Sequence, residues 1–207
     1  MKIGIQGELG AYSHIAVNNL YKNAEIKTCI TFEETFKQAY QDENYKIIIP
    51  IENSLAGRVA DIHYLLPKYK LQIHGEYFLN VEHNLLCKPE ATINDIKSVR
   101  SHAQAIGQCQ NIINKKKFQS IISADTAGSA KDLAEGNDKT IAAIASELSA
   151  QIYKLKILEK NIEDEKGNVT RFLIMGKNVE QPEFKKEKKF ITSCIFRLKS
   201  EPSALYK

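Results

Sequence analysis

The sequence predicts a two-lobed α/β protein. Strand-like and helix-like patterns alternate from the N-terminus to about residue 178. That alternation argues for βαβ units and parallel sheets. It comes in two blocks joined by a long extended stretch, Leu71–Leu86. Polar clusters also recur where strand patterns end and helix patterns begin, where α/β sheets bind ligands.

In order, Lys2–Gln6 reads as a strand and Ser13–Tyr21 as a helix with Ser13 at its N-cap. Glu25–Ile30 is a strand. Thr31–Gln41 is a helix, and Thr31 followed by Glu34 forms a capping box. Tyr45–Ile51 carries Ile47-Ile48-Ile49, the apolar run of a strand covered on both faces. Gly57–Leu66 is helical and is expected to stop at Pro67. After the extended stretch come strands at Ser98–Ser101, Gln119–Ala124, Thr140–Ile144, Lys156–Ile162 and Arg171–Met175. Helices are expected at Gln104–Lys116, Thr126–Glu135 and Ser146–Lys154. The predicted organisation is lobe one over 1–76 and 165–178, lobe two over 77–164, a polar linker over 179–189, and a further strand and helix start over 190–207.

Composition narrows the class. With 207 residues, 43% apolar and 26% charged, the chain is ordinary for a globular protein. Its net charge of +4 is dispersed, and the lysines at 185, 186, 188 and 189 are interleaved with Glu183 and Glu187. They read as a linker and not as a nucleic-acid arm. No apolar run reaches membrane-spanning length, so no membrane partner is expected. The start, MKIGIQGELG, runs straight into a strand, so no secretory signal and a cytoplasmic location are expected. The four cysteines lack metal or redox spacing and read as reduced thiols. No metal cluster, phosphate-binding Walker loop or nucleophilic triad is visible, and no cofactor is expected.

Five segments carry candidate chemistry, each with a plain alternative. GELGAYSHIA, residues 7–16, is either a glycine turn with a serine cap or an anion site at a helix start. In PIENSLAGRV, Asn53 and Ser54 suit recognition of hydroxyl or carboxylate groups, or simply cap the next helix. SHAQAIGQC places Ser101 and Gln104 as binding or capping groups. His102 lacks an acidic partner and reads as a structural hydrogen-bonder. In DTAGSA, Thr126 either meets a ligand or caps a helix. In NVTRF, Arg171 clamps a carboxylate or lies on the surface, with the Thr170 hydroxyl beside it.

Together, these five motifs in this order and spacing resemble the prephenate dehydratase family over residues 1 to about 178. Glu8 and Ala103 depart from prolines usual there. The resemblance implies a type II periplasmic-binding-protein-like fold with an inter-lobe cleft, followed by a truncated ACT-like α+β fragment in FITSCIFRLKSEPSALYK. It implies decarboxylative dehydration of prephenate, with Thr170 as the protonating residue. Asn53, Ser54, Ser101, Gln104, Thr126 and Arg171 would line the cleft. It also implies a homodimer or homotetramer, with a phenylalanine effector site left incomplete because Ser203 replaces a family glycine and a second effector motif is missing. Arogenate dehydratase, a non-catalytic solute-binding protein of the same fold, and an amino-acid sensor are the rival readings.

Overall fold

The computed structural model describes residues 1–178, together with 183, 185–187, 189, 198, 201, 203 and 204. The strand and helix expected over 190–202 lie outside the described residues, apart from Leu198 and Glu201.

Lobe one begins with β1 (Lys2–Gln6), α1 (Tyr12–Leu20), β2 (Glu25–Cys29), α2 (Phe32–Gln41) and β3 (Tyr45–Asn53). It continues through β4 (Gly57–Arg58), α3 (Ala60–Tyr69) and β5 (Gln72–Asn80). Lobe two holds β6 (Asn84–Cys87), β7 (Ser98–His102), α4 (Ala103–Gly107), α5 (Gln110–Lys116) and β8 (Gln119–Ser123). It is completed by α6 (Thr126–Glu135), β9 (Ile141–Ala145), α7 (Glu147–Tyr153) and β10 (Lys156–Glu159). The chain then returns to lobe one as β11 (Val169–Gly176).

The first sheet runs β2-β1-β3-β11-β5, with β4 paired to β3, and the second runs β10-β6-β9-β7-β8. Within them β2, β1 and β3 are parallel, as are β9, β7 and β8. The strands on either side of the two crossings, β5 and β6, β10 and β11, add antiparallel pairs, so both sheets are mixed. Strand β5 stays in the first sheet to Asn80, so the outward crossing falls at residues 81–83, beyond the expected 76. The two crossings are laced together: Val81 N donates to Asn168 O at 2.8 Å, and Ile162 N donates to His83 O at 2.8 Å.

Ile47, Ile48 and Ile49 are all fully buried, as their pattern predicts for a strand with helices on both faces. Burying each contributes roughly 1.5–3 kcal/mol. Thr31 does cap α2, accepting from Glu34 N at 3.1 Å, but Glu34 reaches back to Ile30 N, one residue before the cap. Several expected boundaries move: the helix expected from Gly57 starts at Ala60, because Gly57 and Arg58 pair with β3 as β4. Ser13 is not a cap: α1 starts from Ala11 without a side-chain cap, and Ser13 is buried in its first turn. Pro67 does not stop α3, which continues to Tyr69. A proline in the last turn deprives only one carbonyl, that of His63, of its partner. His63 is exposed, while Ile62 and Leu65 anchor the helix beneath. The long helix expected over 104–116 is two, α4 and α5, broken at Gln108 and Cys109.

Candidate active site

The carboxyl ends of the parallel strands face one another across the two lobes. Loop 7–11, leaving β1, packs on α6 and α7, which follow β8 and β9. Gly10 O accepts from Ser146 Oγ at 2.6 Å and from Ser149 Oγ at 3.0 Å. Leu9 O accepts from Tyr153 OH at 2.9 Å, and Glu8 pairs with Lys131 at 3.1 Å. Gly10 has φ +93, and a β-carbon there would lie 2.8 Å from Ser149 Cα, so only glycine fits. Three of the loop's five N–H groups are spent within the protein: Gly7 on Cys29 O, Gly10 on His14 Nδ1 and Ala11 on Glu8 O. Of the two readings of this loop, the turn fits these contacts, here used to dock one lobe on the other.

A continuous chain of polar side chains runs through the crossing. Asn53, at the end of β3, accepts at Oδ1 from Leu55 N (3.0 Å) and Ala56 N (2.8 Å). Those two backbone donors fix the amide, so Nδ2 points away from them. Nδ2 donates to Thr170 Oγ1 at 2.9 Å and to Asn168 Oδ1 at 2.6 Å. Asn168 Nδ2 donates to Gln108 Oε1 at 2.8 Å, and the same oxygen lies 2.9 Å from His83 Nε2. His83 Nδ1 is 2.8 Å from Tyr12 OH, which also reaches Glu82 O at 2.8 Å. The chain is largely sealed: Asn168 and His83 are each 3% exposed and Thr170 8%. Burial drives the His83 pKa down and the Tyr12 pKa well up, so both rings are neutral near pH 7. Burial also raises the thiol of Cys109 beside them and keeps it unreactive.

The sequence-predicted residues divide by whether their polar groups are already committed. Asn53 and Thr170 are brought together from 117 positions apart. Thr170 Oγ1 accepts from Asn53, and its proton has no acceptor among the described residues. Ser54 Oγ donates to Gly167 O and accepts from Val169 N, both at 2.9 Å, pinning the start of β11. Ser101 is fully buried and donates to Ile144 O at 2.6 Å inside the second sheet. Arg171 lies between two carboxylates, Glu76 at 2.7 Å and Glu52 at 3.0 Å, over the Phe78 ring. That pairing with carboxylates of the two neighbouring strands commits the guanidinium within the sheet, where it orients β11. The cap of α6 is Asp125, which accepts from Gly128 N at 2.6 Å and leaves Thr126 as the first helical residue. The side chains of Thr126 and Gln104 make no hydrogen bond among the described residues. His102 Nδ1 caps α4, accepting from Gln104 N at 3.3 Å.

Sequence reasoning missed Tyr12, His83, Gln108 and Asn168. Tyr12, Gln108 and Asn168 stood inside the five motifs, but nothing in spacing marks an amide that pairs 60 residues away. A hollow of about 280 Å³ opens beside Asn53 on lobe one, lined by Glu52, Ser54, Arg58, Phe78 and Arg171 among others. Among the described residues no His, Cys, Asp and Glu cluster suits a metal ion, and no helix is long and apolar enough to cross a membrane.

Two α/β lobes, laced at a double crossing and facing each other with their strand ends, define the type II periplasmic-binding-protein-like class. The profile of the prephenate dehydratase family matches residues 3–180. The prephenate dehydratase of Methanocaldococcus jannaschii is 39% identical over 95% of this chain and 72% of its own length. The chloroplastic arogenate dehydratase/prephenate dehydratase 2 of Arabidopsis thaliana is 38% identical over the whole of this chain. The crystal structure of an Arthrobacter aurescens prephenate dehydratase in complex with L-Phe superposes with a TM-score of 0.81 at 25% identity, covering 89% of this chain and 63% of that one. The chain belongs to the prephenate dehydratase family. It spans about half the length of the plant relatives, 54% in the Arabidopsis case.

Proposed function

We propose that this chain converts prephenate to phenylpyruvate, carbon dioxide and water. In this reaction the electron pair of the ring–carboxylate bond moves into the ring. The ring C–O bond breaks with its pair on oxygen, and a proton completes water. Aromatisation drives the step, so the residues must only orient the ring and help a poor leaving group depart. The observation that carries the proposal is the state of Thr170: its oxygen is held by Asn53 Nδ2 while its proton is uncommitted. The hydroxyl therefore donates to the departing oxygen, and Asn53 stabilises the charge that develops on Oγ1. A preorganised donor of this kind contributes roughly 10²–10³ in rate. A proton from solution restores the hydroxyl.

The uncommitted groups Thr126, Gln104 and Gln108 Nε2 are assigned to the substrate's carboxylates. Asn53 positions Thr170 directly. Ser54, Ser101 and Arg171 hold the strands that present them. The names of the plant relatives favour arogenate as a second substrate of the same chemistry, giving phenylalanine. On family resemblance the reading extends to a cytoplasmic homo-oligomer in which residues 190–207 correspond to part of an ACT-like segment with an incomplete phenylalanine effector site.

The test is to incubate the purified chain with prephenate and, separately, with arogenate, following phenylpyruvate or phenylalanine together with released carbon dioxide, with and without added phenylalanine. Turnover of either substrate supports the proposal. Binding without product on both favours a solute-binding protein.

A further inference from the structure

We propose that His83 is a positioning residue for this chemistry, acting through Gln108; the inference rests on the reading of the site given above. The donor–acceptor sense of the buried chain is fixed from Asn53 as far as His83 Nε2. The Leu55 and Ala56 N–H groups fix Asn53 Oδ1 as the acceptor. Asn53 Nδ2 must then donate, so Asn168 presents its oxygen to Asn53 and its nitrogen to Gln108. Gln108 therefore presents Oε1 inward, and the His83 nitrogen 2.9 Å from it has to carry a proton. The imidazole therefore carries its proton on Nε2, and Nδ1 faces the Tyr12 hydroxyl, whose single proton is shared between Nδ1 and Glu82 O. An imidazole's two nitrogens are set by the partner each one meets.

This arrangement decides where the other end of Gln108 points. Its Nε2 has no partner among the described residues. It is also not among the sealed, unsatisfied side-chain atoms, which among the described residues comprise His74 Nε2 alone. The Gln108 nitrogen is thus a donor open to solvent beside the Thr170 chain. A glutamine amide is nearly symmetric in shape, and without His83 only one hydrogen bond, from Asn168, would oppose a flip. A flipped amide would present an oxygen to a dianionic substrate where a donor is needed.

His83 is well built for holding the amide. It is 3% exposed. Its backbone N–H donates to Glu163 Oε2 at 2.9 Å, and its ring meets the Tyr12 ring edge-on at 5.6 Å. The groups around it are Tyr12 from α1, Glu82 and Glu163 from the two crossings, and Gln108 from the end of α4. Replacement by leucine strands no buried group, because Tyr12 keeps Glu82 O and Gln108 Oε1 keeps Asn168.

The experiment compares wild type, His83→Leu and His83→Gln for kcat and KM on prephenate. It is accompanied by the ring ¹⁵N–¹H spectrum of wild type and thermal unfolding of all three. Misplacing a group by about 1 Å costs up to about a hundredfold in rate, so the leucine variant is expected to lose about 10- to 100-fold in kcat while remaining folded. The glutamine variant, whose amide nitrogen reaches the Nε2 position, is expected to recover most of that loss. The wild-type ring is expected as the Nε2–H tautomer. Undiminished kcat in the leucine variant, failure of glutamine to rescue, or an Nδ1–H tautomer overturns the proposal. If the leucine variant does not fold, the tautomer and the glutamine variant decide. If wild type turns over neither prephenate nor arogenate, the proposed function fails, and the tautomer alone still decides how Gln108 is held.

Discussion

Replacing one nitrogen by one oxygen at residue 53 is expected to reverse the buried polar chain. In the Asn53→Asp variant, one carboxylate oxygen still accepts from Leu55 N and Ala56 N. The other oxygen replaces Nδ2 and faces Asn168 Oδ1 at 2.6 Å, a contact between two acceptors. Relief requires Asn168 to flip, which sets its oxygen against Gln108 Oε1 and propagates to the His83 tautomer. The Thr170 hydroxyl, formerly an acceptor from Asn53, turns to donate to the new carboxylate and no longer serves the substrate. Losing one preorganised donor predicts a fall in kcat of roughly 10²–10³. An unsatisfied or repelled buried pair costs about 1–3 kcal/mol. For a chain of this size each kcal/mol lowers Tm by about 2–4 °C. Steady-state kinetics on prephenate and thermal unfolding read both effects. A variant with kcat within about threefold of wild type would refute the donor logic, whatever its Tm.

Other expectations follow from the same geometry. Gly10→Ala places a β-carbon 2.8 Å from Ser149 Cα at φ +93, so Tm is expected to drop by the equivalent of about 1–3 kcal/mol; an unchanged melting curve would show that the lobes are not docked through this loop. Arg171→Gln is expected to lower stability by about 1 kcal/mol or less and leave KM within a few-fold, because Arg171 pairs with Glu52 and Glu76; a KM rise beyond tenfold would return it to the substrate. His14, His74 and His83 all have pKa values lowered by burial from the ordinary 6.5. Below pH 6.5 the unfolded chain binds protons that the folded chain refuses, so stability falls as pH falls. Tm measured at pH 7.5 and 5.5 is expected to be lower at 5.5, and a flat profile would refute their neutral burial.

Much of the fold was legible because it is local. The Ile47–Ile49 run, the Thr31 cap and the small-residue start of α6 each carry their reason within a few residues. The mixed sheets were not legible, since a crossing strand has the same pattern whether its neighbour runs parallel or antiparallel. Pro67 misled because its cost depends on whether one carbonyl reaches solvent, a tertiary fact. At the site, Asn53 and Thr170 were legible as polar residues at strand termini. Ser101 looked the same in sequence, yet its hydroxyl is spent on Ile144 O. A serine at a strand end reads alike whether it faces a ligand or a carbonyl. His83 carried no signal at all, because its partners, Tyr12 and Gln108, lie 71 and 25 positions away.

The most direct measurement is the turnover number of Thr170→Val on prephenate. Valine keeps the branched shape and the strand pairing and removes only the hydroxyl. A hundredfold or greater fall in kcat with an almost unchanged Tm is the predicted result. A valine variant that still makes phenylpyruvate at the wild-type rate would contradict the central role of that hydroxyl.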